Sequence, residues 1–276
     1  MAKYRVNTRN DLPRVGEMLG LSREQVADMQ AVSAVLPFKV NDYVLEELID
    51  RNDLPRDPIF QLTFPQRGML ADGEFKRMRD LVTRGASDAE LRLAADEIRA
   101  TLNPHPAGQM ELNKPHFGGD TLEGMQHKYN ETVLFFPTQG QTCHAYCTYC
   151  FRWAQFIGDS DLKFASKEAG QLVQYVSDNP EISSVLITGG DPMVMKTKFL
   201  RNYIEPLLAI PHLNSIRIGT KALAYWPYRF TDGEDADDFL RLIGDVRAAG
   251  KHFALMAHSS HPVELSTSAA EAAMRR

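Results

Sequence analysis

From Thr132 to the last residue, short apolar runs alternate with segments of helical period, and that alternation most limits the folds open to this 276-residue chain. The runs are TVLFFP (132–137), SSVLITGG (183–190), SIRIGT (215–220) and HFALMAH (252–258). Between and after them lie SKEAGQLVQYVSDN (166–179), KTKFLRNYIEPLLA (196–209), DADDFLRLIGDVRAAG (235–250) and SAAEAAMRR (268–276). Short runs rich in β-branched residues read as buried strands, and the amphipathic stretches between them as crossover helices. The pattern therefore predicts an α/β fold with four strand–helix pairs and a parallel sheet. No strand returns after the last helix, which leaves the fourth strand as a sheet edge.

The first 125 residues have a different texture, helical and irregular. Ser22 stands as an N-cap before SREQVADMQAV, and SDAE at 87–90 forms a capping box before a second helix. The expected organisation is a helical N-terminal region over 1–125 followed by an α/β region over 126–276. Apolar content of 43% and charged content of 24% are ordinary for a globular protein. A net charge of −5 with no basic block argues against a nucleic-acid partner. The N-terminus carries no apolar signal region, and no stretch approaches the ~18 apolar residues of a membrane span. The expectation is a cytoplasmic enzyme with no membrane partner.

All three cysteines, Cys143, Cys147 and Cys150, fall within the stretch TCHAYCTYCFRW (142–153), directly after the first strand. Loops at the C-terminal ends of parallel strands are where α/β folds place their chemistry. An odd cysteine count suits a reducing compartment better than a disulfide framework. A cubane iron–sulfur cluster asks for four thiolates, so three would leave one iron open to another ligand. Two other readings stand beside this one. The thiols could be buried and inert, or they could bind zinc with His144, His258 or His261 completing a Cys3His set.

The spacing C-x3-C-x2-C after the first strand of a βα array resembles the radical S-adenosylmethionine (SAM) enzymes, and more closely their lysine 2,3-aminomutase branch. CHAYCTYCFR, ITGGDPM (187–193) and HSSHPVEL (258–265) resemble that branch's cysteine loop, Gly-Gly-Asp loop and His-x-x-His-Pro stretch. DPIFQLTFP (57–65) and HKYNETVLFFP (127–137) are similar to upstream segments of the same branch, so the likeness runs from about Leu36 to the end. The resemblance implies a partial (βα) barrel. It implies that Cys143, Cys147 and Cys150 ligate a 4Fe-4S cluster whose open iron is chelated by SAM. One electron then cleaves SAM to methionine and a 5′-deoxyadenosyl radical, which takes hydrogen from a lysine-like amino-acid substrate. The electron donor would be of the flavodoxin or ferredoxin kind, and a homo-oligomer is implied by likeness alone.

The same resemblance assigns Gly189 and Gly190 to close approach of backbone and ligand, which glycine permits, and Asp191 to the methionine ammonium. Tyr149 would pack on adenine, Arg152 would pair with the substrate carboxylate through its planar fork, and His258 would touch the cofactor. Each has a plainer alternative: GGDP as a simple turn, Tyr149 as a core aromatic, Arg152 as a solvated charge, and His258 and His261 as structural residues. The chain also departs from the branch. The lysine that binds pyridoxal phosphate there lies beyond the position of Arg276, and Glu131 and Thr132 occupy the neighbourhood of its phosphate-binding arginine. The approach PTQGQTC is about two residues longer than usual, by resemblance. These departures put pyridoxal phosphate in doubt. They leave three expectations: a C-terminally truncated enzyme with four of six βα units, a divergent branch working without that cofactor, or an inactive remnant keeping the loop as a binding module.

Overall fold

The computed structural model describes residues 4–105, 108, 111–158 and 164–276. The chain forms two compact units, and neither is one continuous stretch. The first contains Lys3–Pro106 and His144–Asp159, and the second contains Ala107–Cys143 and Ser160–Arg276 together with the first two residues.

In the first unit, β1 (Val6–Thr8) leads into α1 (Leu12–Leu19) and α2 (Arg23–Val35), and β2 (Lys39–Asn41) pairs antiparallel with β1. Then follow α3 (Pro58–Thr63), α4 (Asp72–Thr83) and α5 (Asp88–Thr101). Val32 and Val35 of α2, Phe75 and Met78 of α4, and Leu91 and Ile98 of α5 form the core. Both caps read from the sequence are present. Ser22 Oγ accepts from the Gln25 N–H at 3.1 Å and Gln25 Oε1 accepts from the Ser22 N–H at 2.8 Å. Ser87 and Glu90 exchange the same pair of bonds at the start of α5, so each helix has two otherwise orphaned donors satisfied.

The second unit begins with the short hairpin β3 (His116–Phe117) and β4 (Asp120–Thr121). Its main sheet runs β5 (Met125–Tyr129), β6 (Thr132–Phe135), β7 (Ser184–Ile187), β8 (Ser215–Thr220) and β9 (His252–Ala257), in chain order. The last four strands are parallel, as the alternation predicts. Helix α6 (Ala169–Asp178) joins β6 to β7, and α7 (Thr197–Ile204) joins β7 to β8. The short α8 (Ala222–Tyr225) and α9 (Tyr228–Thr231) precede α10 (Ala236–Ala248), and α11 (Ser268–Arg275) follows β9.

Strand period two sets the faces. Val133, Phe135, Val185, Ile187, Ile216 and Ile218 are fully buried in one core with Leu172 of α6, Leu200 of α7 and Leu242 of α10. The alternate residues Thr132, Ser184 and Arg217 are only partly buried, and Arg217 Nη2 donates to Thr132 Oγ1 at 3.1 Å.

Strands β1 to β5 were not legible as such, four of them within the region expected to be helical and irregular, and β5 shows why. Met125–Tyr129 carries Gln126, His127 and Lys128, which no strand pattern selects, yet it pairs antiparallel with β6. Tertiary bonds hold it: the His127 N–H donates to Asn113 O at 2.8 Å, and the His127 ring lies 2.7 Å from the Tyr175 hydroxyl. Context here overrides intrinsic propensity.

Candidate functional site

Two loops leave the C-terminal ends of β6 and β7, and they are packed together. After β6 the chain makes a single 3-10 turn at Thr138–Gly140 before reaching Cys143. After β7 it passes through Thr188, Gly189 and Gly190 to Asp191, whose N–H donates to Gly140 O at 3.0 Å and Thr142 O at 2.7 Å. The glycines make that approach possible. A Cβ on Gly190 would lie 2.5 Å from both the N and O of Thr142 and 2.8 Å from Gly140 O, all backbone atoms. Gly189 has φ of +137°, and a Cβ there would lie 2.2 Å from Gln141 Nε2. The space released by both glycines is filled by residues 140–142 of this chain.

Gly190→Ala therefore forces the approach to Cys143 away from the β7 loop. The expected cost is about 1–3 kcal/mol, in the range of overpacked sites, with reduced iron uptake in reconstitution. Urea midpoint and iron content unchanged from wild type would show that the close approach is dispensable.

Asp191 joins three segments. Its side chain is 2% exposed. Oδ1 accepts from Thr220 Oγ1 at 2.6 Å and the Met193 N–H at 2.9 Å, and Oδ2 accepts from the Lys221 N–H at 2.9 Å. Burial raises the carboxyl to about 6, against the opposing pull of these hydrogen bonds and the Lys221 charge. The carboxylate is spent within the chain, so an ammonium contact of the kind implied by resemblance competes with three internal donors. Beside it, the buried Arg229 guanidinium donates to Met193 O and Met195 O at 3.1 and 3.3 Å and pairs with Asp235 at 3.0 Å, fixing the segment after Asp191.

The ends of β8 and β9 meet in a second polar group that the sequence reading missed. Glu264 is fully buried and accepts from Lys221 Nζ at 3.0 Å and from the His261 N–H at 3.2 Å. Lys221 Nζ also lies 4.6 Å from the centre of the Tyr225 ring. The available signal was a lysine directly after the strand SIRIGT and a glutamate inside HPVEL. His258 is exposed, and its N–H donates to Thr220 O at 2.9 Å. Partial burial and the Lys221 charge push its imidazole down, with Glu264 opposing. His261 caps a 3-10 turn at Pro262–Leu265, its ring nitrogen accepting from the Val263 N–H at 3.4 Å.

The cysteines divide between the units: Cys143 belongs to the second, Cys147 and Cys150 to the first. All three are partly exposed and none is in a disulfide. The Cys150 N–H donates to Cys147 O at 3.0 Å. Burial pushes the Cys150 thiol up and Cys147 adds to this, while the Arg152 N–H opposes it. Tyr149 is 57% exposed, so it is not a core aromatic. The Arg152 guanidinium is partly buried and lies 5.9 Å from the centre of the Phe151 ring.

His144, the nearest candidate to complete a zinc set, is buried, with Nδ1 3.2 Å from the Tyr4 hydroxyl and the two rings edge to face. Among the described residues, no three histidine, cysteine or carboxylate side chains are gathered as a metal group. No described helix is long and apolar enough to cross a membrane.

A parallel sheet with a three-cysteine loop after one strand and a Gly-Gly-Asp loop packed on its approach defines a class, and relatives refine it. No family model matches the chain. It is 30% identical over 271 residues to a glutamate 2,3-aminomutase of Clostridioides difficile, covering 98% of this chain and 53% of that protein. It is 24% identical over 261 residues to an L-lysine 2,3-aminomutase of Methanococcus maripaludis, covering 94% of this chain and 50% of the relative. An L-lysine 2,3-aminomutase of Bacillus subtilis is 38% identical over 111 residues, 40% of this chain and 23% of its own length. Over nearly its whole length the chain is similar to lysine and glutamate 2,3-aminomutases, which supports a place in the lysine 2,3-aminomutase-like branch of the radical SAM enzymes. It spans about half the length, or less, of the curated relatives it matches.

Proposed function

We propose that this chain carries the SAM-cleaving part of a radical aminomutase-type enzyme acting on an amino acid, and that its parallel sheet is part of a (βα) barrel. The observation that carries the reading is the cysteine loop. Every cysteine of the chain lies in C-x3-C-x2-C, each thiol is partly exposed, and the approach to the first is held by the Gly189–Asp191 loop. Three such thiols, with no fourth in the chain, fit a 4Fe-4S cluster that keeps one iron free. When bound, that cluster supplies the electron that splits SAM.

The chain's own residues have distinct tasks. Cys143, Cys147 and Cys150 hold the cluster. Gly189 and Gly190 let the β7 loop close on residues 140–142, and Asp191 locks that loop to the end of β8, so they orient the SAM site through backbone placement. Tyr149 offers an exposed ring to adenine. Arg152 pairs with the substrate carboxylate, and its partial burial strengthens that pairing relative to water. His258 forms an exposed rim at the end of β9. Outside the chain, a flavodoxin- or ferredoxin-type protein reduces the cluster, and assembly is as a homo-oligomer. Lysine and glutamate are the substrates in the names of the relatives, which supports an α-amino acid as the substrate class here.

A second reading keeps the same loop in a binding module without turnover. Glu131 and Thr132, in the neighbourhood of the branch's phosphate-binding arginine, bear on pyridoxal phosphate and not on SAM cleavage, so turnover itself separates the two readings. The test is anaerobic incubation of the reconstituted, dithionite-reduced chain with SAM. Release of 5′-deoxyadenosine and methionine is the expected result. A fully loaded cluster that yields neither would favour the binding module.

A further inference from the structure

The first unit contains a cavity of about 470 Å³ that takes no part in the proposed chemistry. That volume lies within the range of small-molecule sites. Its walls come from the segment after β1, the end of α2, the start of β2, one side of α5, and Tyr146 and Phe156 from the cysteine-loop segment.

Its charge is opposite to that of the chain. The protein carries −5 overall, yet Arg9, Lys39, Arg92 and Arg99 line the cavity against Asp88 alone. Arg99 is already committed: it donates to Val35 O at 2.7 Å and Ala34 O at 3.0 Å and pairs with Asp96 at 2.8 Å. Lys39 Nζ sits 5.9 Å from the centre of the Tyr146 ring. Arg9 and Arg92 differ. Among the described residues neither guanidinium makes a hydrogen bond or an ion pair closer than 4.0 Å. Arg9 is partly buried, and burial pushes its guanidinium down, with the Asp88 charge opposing and the Arg99 charge adding to the shift. A partly desolvated guanidinium without a bonded partner is costly, and an anion with several acceptor oxygens relieves that cost.

The other lining is aromatic. The Tyr146 and Phe156 rings are stacked, with centroids 4.5 Å apart and planes 15° from parallel. A stacked pair beside cations suits a planar ring that carries a phosphate, each part finding its own wall.

We propose that this cavity binds a ligand of the nucleotide class, its phosphate on Arg9 and Arg92 and its planar ring against Tyr146 and Phe156. Tyr146 lies between Cys143 and Cys147, and its N–H is fixed to Lys39 O at 2.9 Å. An occupant would thus brace the middle of the cysteine loop from the side of the first unit. The site stands without the cluster, so it is tested on cluster-free chain 1–276.

Calorimetric titration with adenosine monophosphate, inorganic phosphate and adenosine separates the contributions. The expected result is binding of the monophosphate, with phosphate and adenosine each weaker by about tenfold or more. Arg92→Glu, on the exposed side of α5, should weaken the monophosphate by about tenfold or more, as expected for reversing one charged contact, without changing the melting temperature. Arg9→Ala should do the same to affinity, and Phe156→Ala should remove most of the advantage over inorganic phosphate. No binding of the monophosphate at millimolar concentration, or undiminished binding by Arg92→Glu, would overturn the proposal. Equal affinity for the monophosphate and inorganic phosphate would overturn the aromatic half.

Discussion

Asp191→Ala should destabilise the second unit by roughly 3–9 kcal/mol, the sum of three buried donors left without an acceptor at about 1–3 kcal/mol each. The donors are the Met193 N–H, the Lys221 N–H and the Thr220 hydroxyl, which reach Asp191 from the β7 loop and the end of β8. The side chain is almost wholly enclosed, so these donors lie away from bulk water. A loss of this size is comparable to the whole stability of many domains, so chemical denaturation of the variant should show a shifted or absent transition. A wild-type midpoint would mean that the three bonds are not held in solution.

The same residue sets a pH dependence of definite sign. Its carboxyl stands at about 6 in the folded protein against an ordinary 3.8, so the folded state holds the proton more tightly than the unfolded chain. The stability linked to that proton is fully present below about 3.8 and is lost as pH rises through about 6. Asp191→Asn carries no such proton, although its amide cannot accept from the Lys221 N–H as the carboxylate does. Subtracting the variant's unfolding free energy from that of wild type at each pH cancels the other groups. The difference should decline from pH 4 to pH 6 and level off above; a flat difference would contradict the assigned shift.

Cys147→Ala should abolish cluster assembly while leaving the fold almost untouched. The thiol is partly exposed and forms no disulfide, so its removal costs within about 0.5–1 kcal/mol, as for substitutions outside the core. A cubane deprived of one of three thiolates loses its anchor, and anaerobically reconstituted iron should fall from about four per chain to near zero. Cys143→Ala and Cys150→Ala should behave alike. His144→Ala provides the contrast. That ring is buried against Tyr4, so the variant should lose stability but keep iron uptake. Iron retained by the cysteine variants, or lost in His144→Ala, would move the metal chemistry away from the three thiols.

Much of the second unit could be read in advance because its order is local. Strand runs such as SVLI and SIRIGT are bounded by turn residues, and α10 carries its apolar stripe within thirteen residues. Capping boxes at Ser22 and Ser87 are likewise written within four residues each. What escaped the sequence is long-range. The return of residues 144–159 to the helical unit rests on bonds such as Thr148 N–H to Leu62 O at 2.8 Å, which no periodicity announces. Met125–Tyr129 is a strand through its partners, not its composition. The motif GGDP marks a tight turn, but the close neighbour, residues 140–142, and the inward-facing Asp191 side chain are set by the tertiary fold. Lys221 and Glu264 meet only when β8 and β9 are placed side by side.

The measurement that bears most directly on the central claim is the electron paramagnetic resonance spectrum of reconstituted, reduced chain 1–276, recorded before and after addition of SAM. A free iron among three thiolates predicts a 4Fe-4S signal whose g-values shift when SAM occupies that iron. A cluster signal that SAM leaves unchanged, or a loaded metal that is zinc and gives no signal, would contradict the assignment.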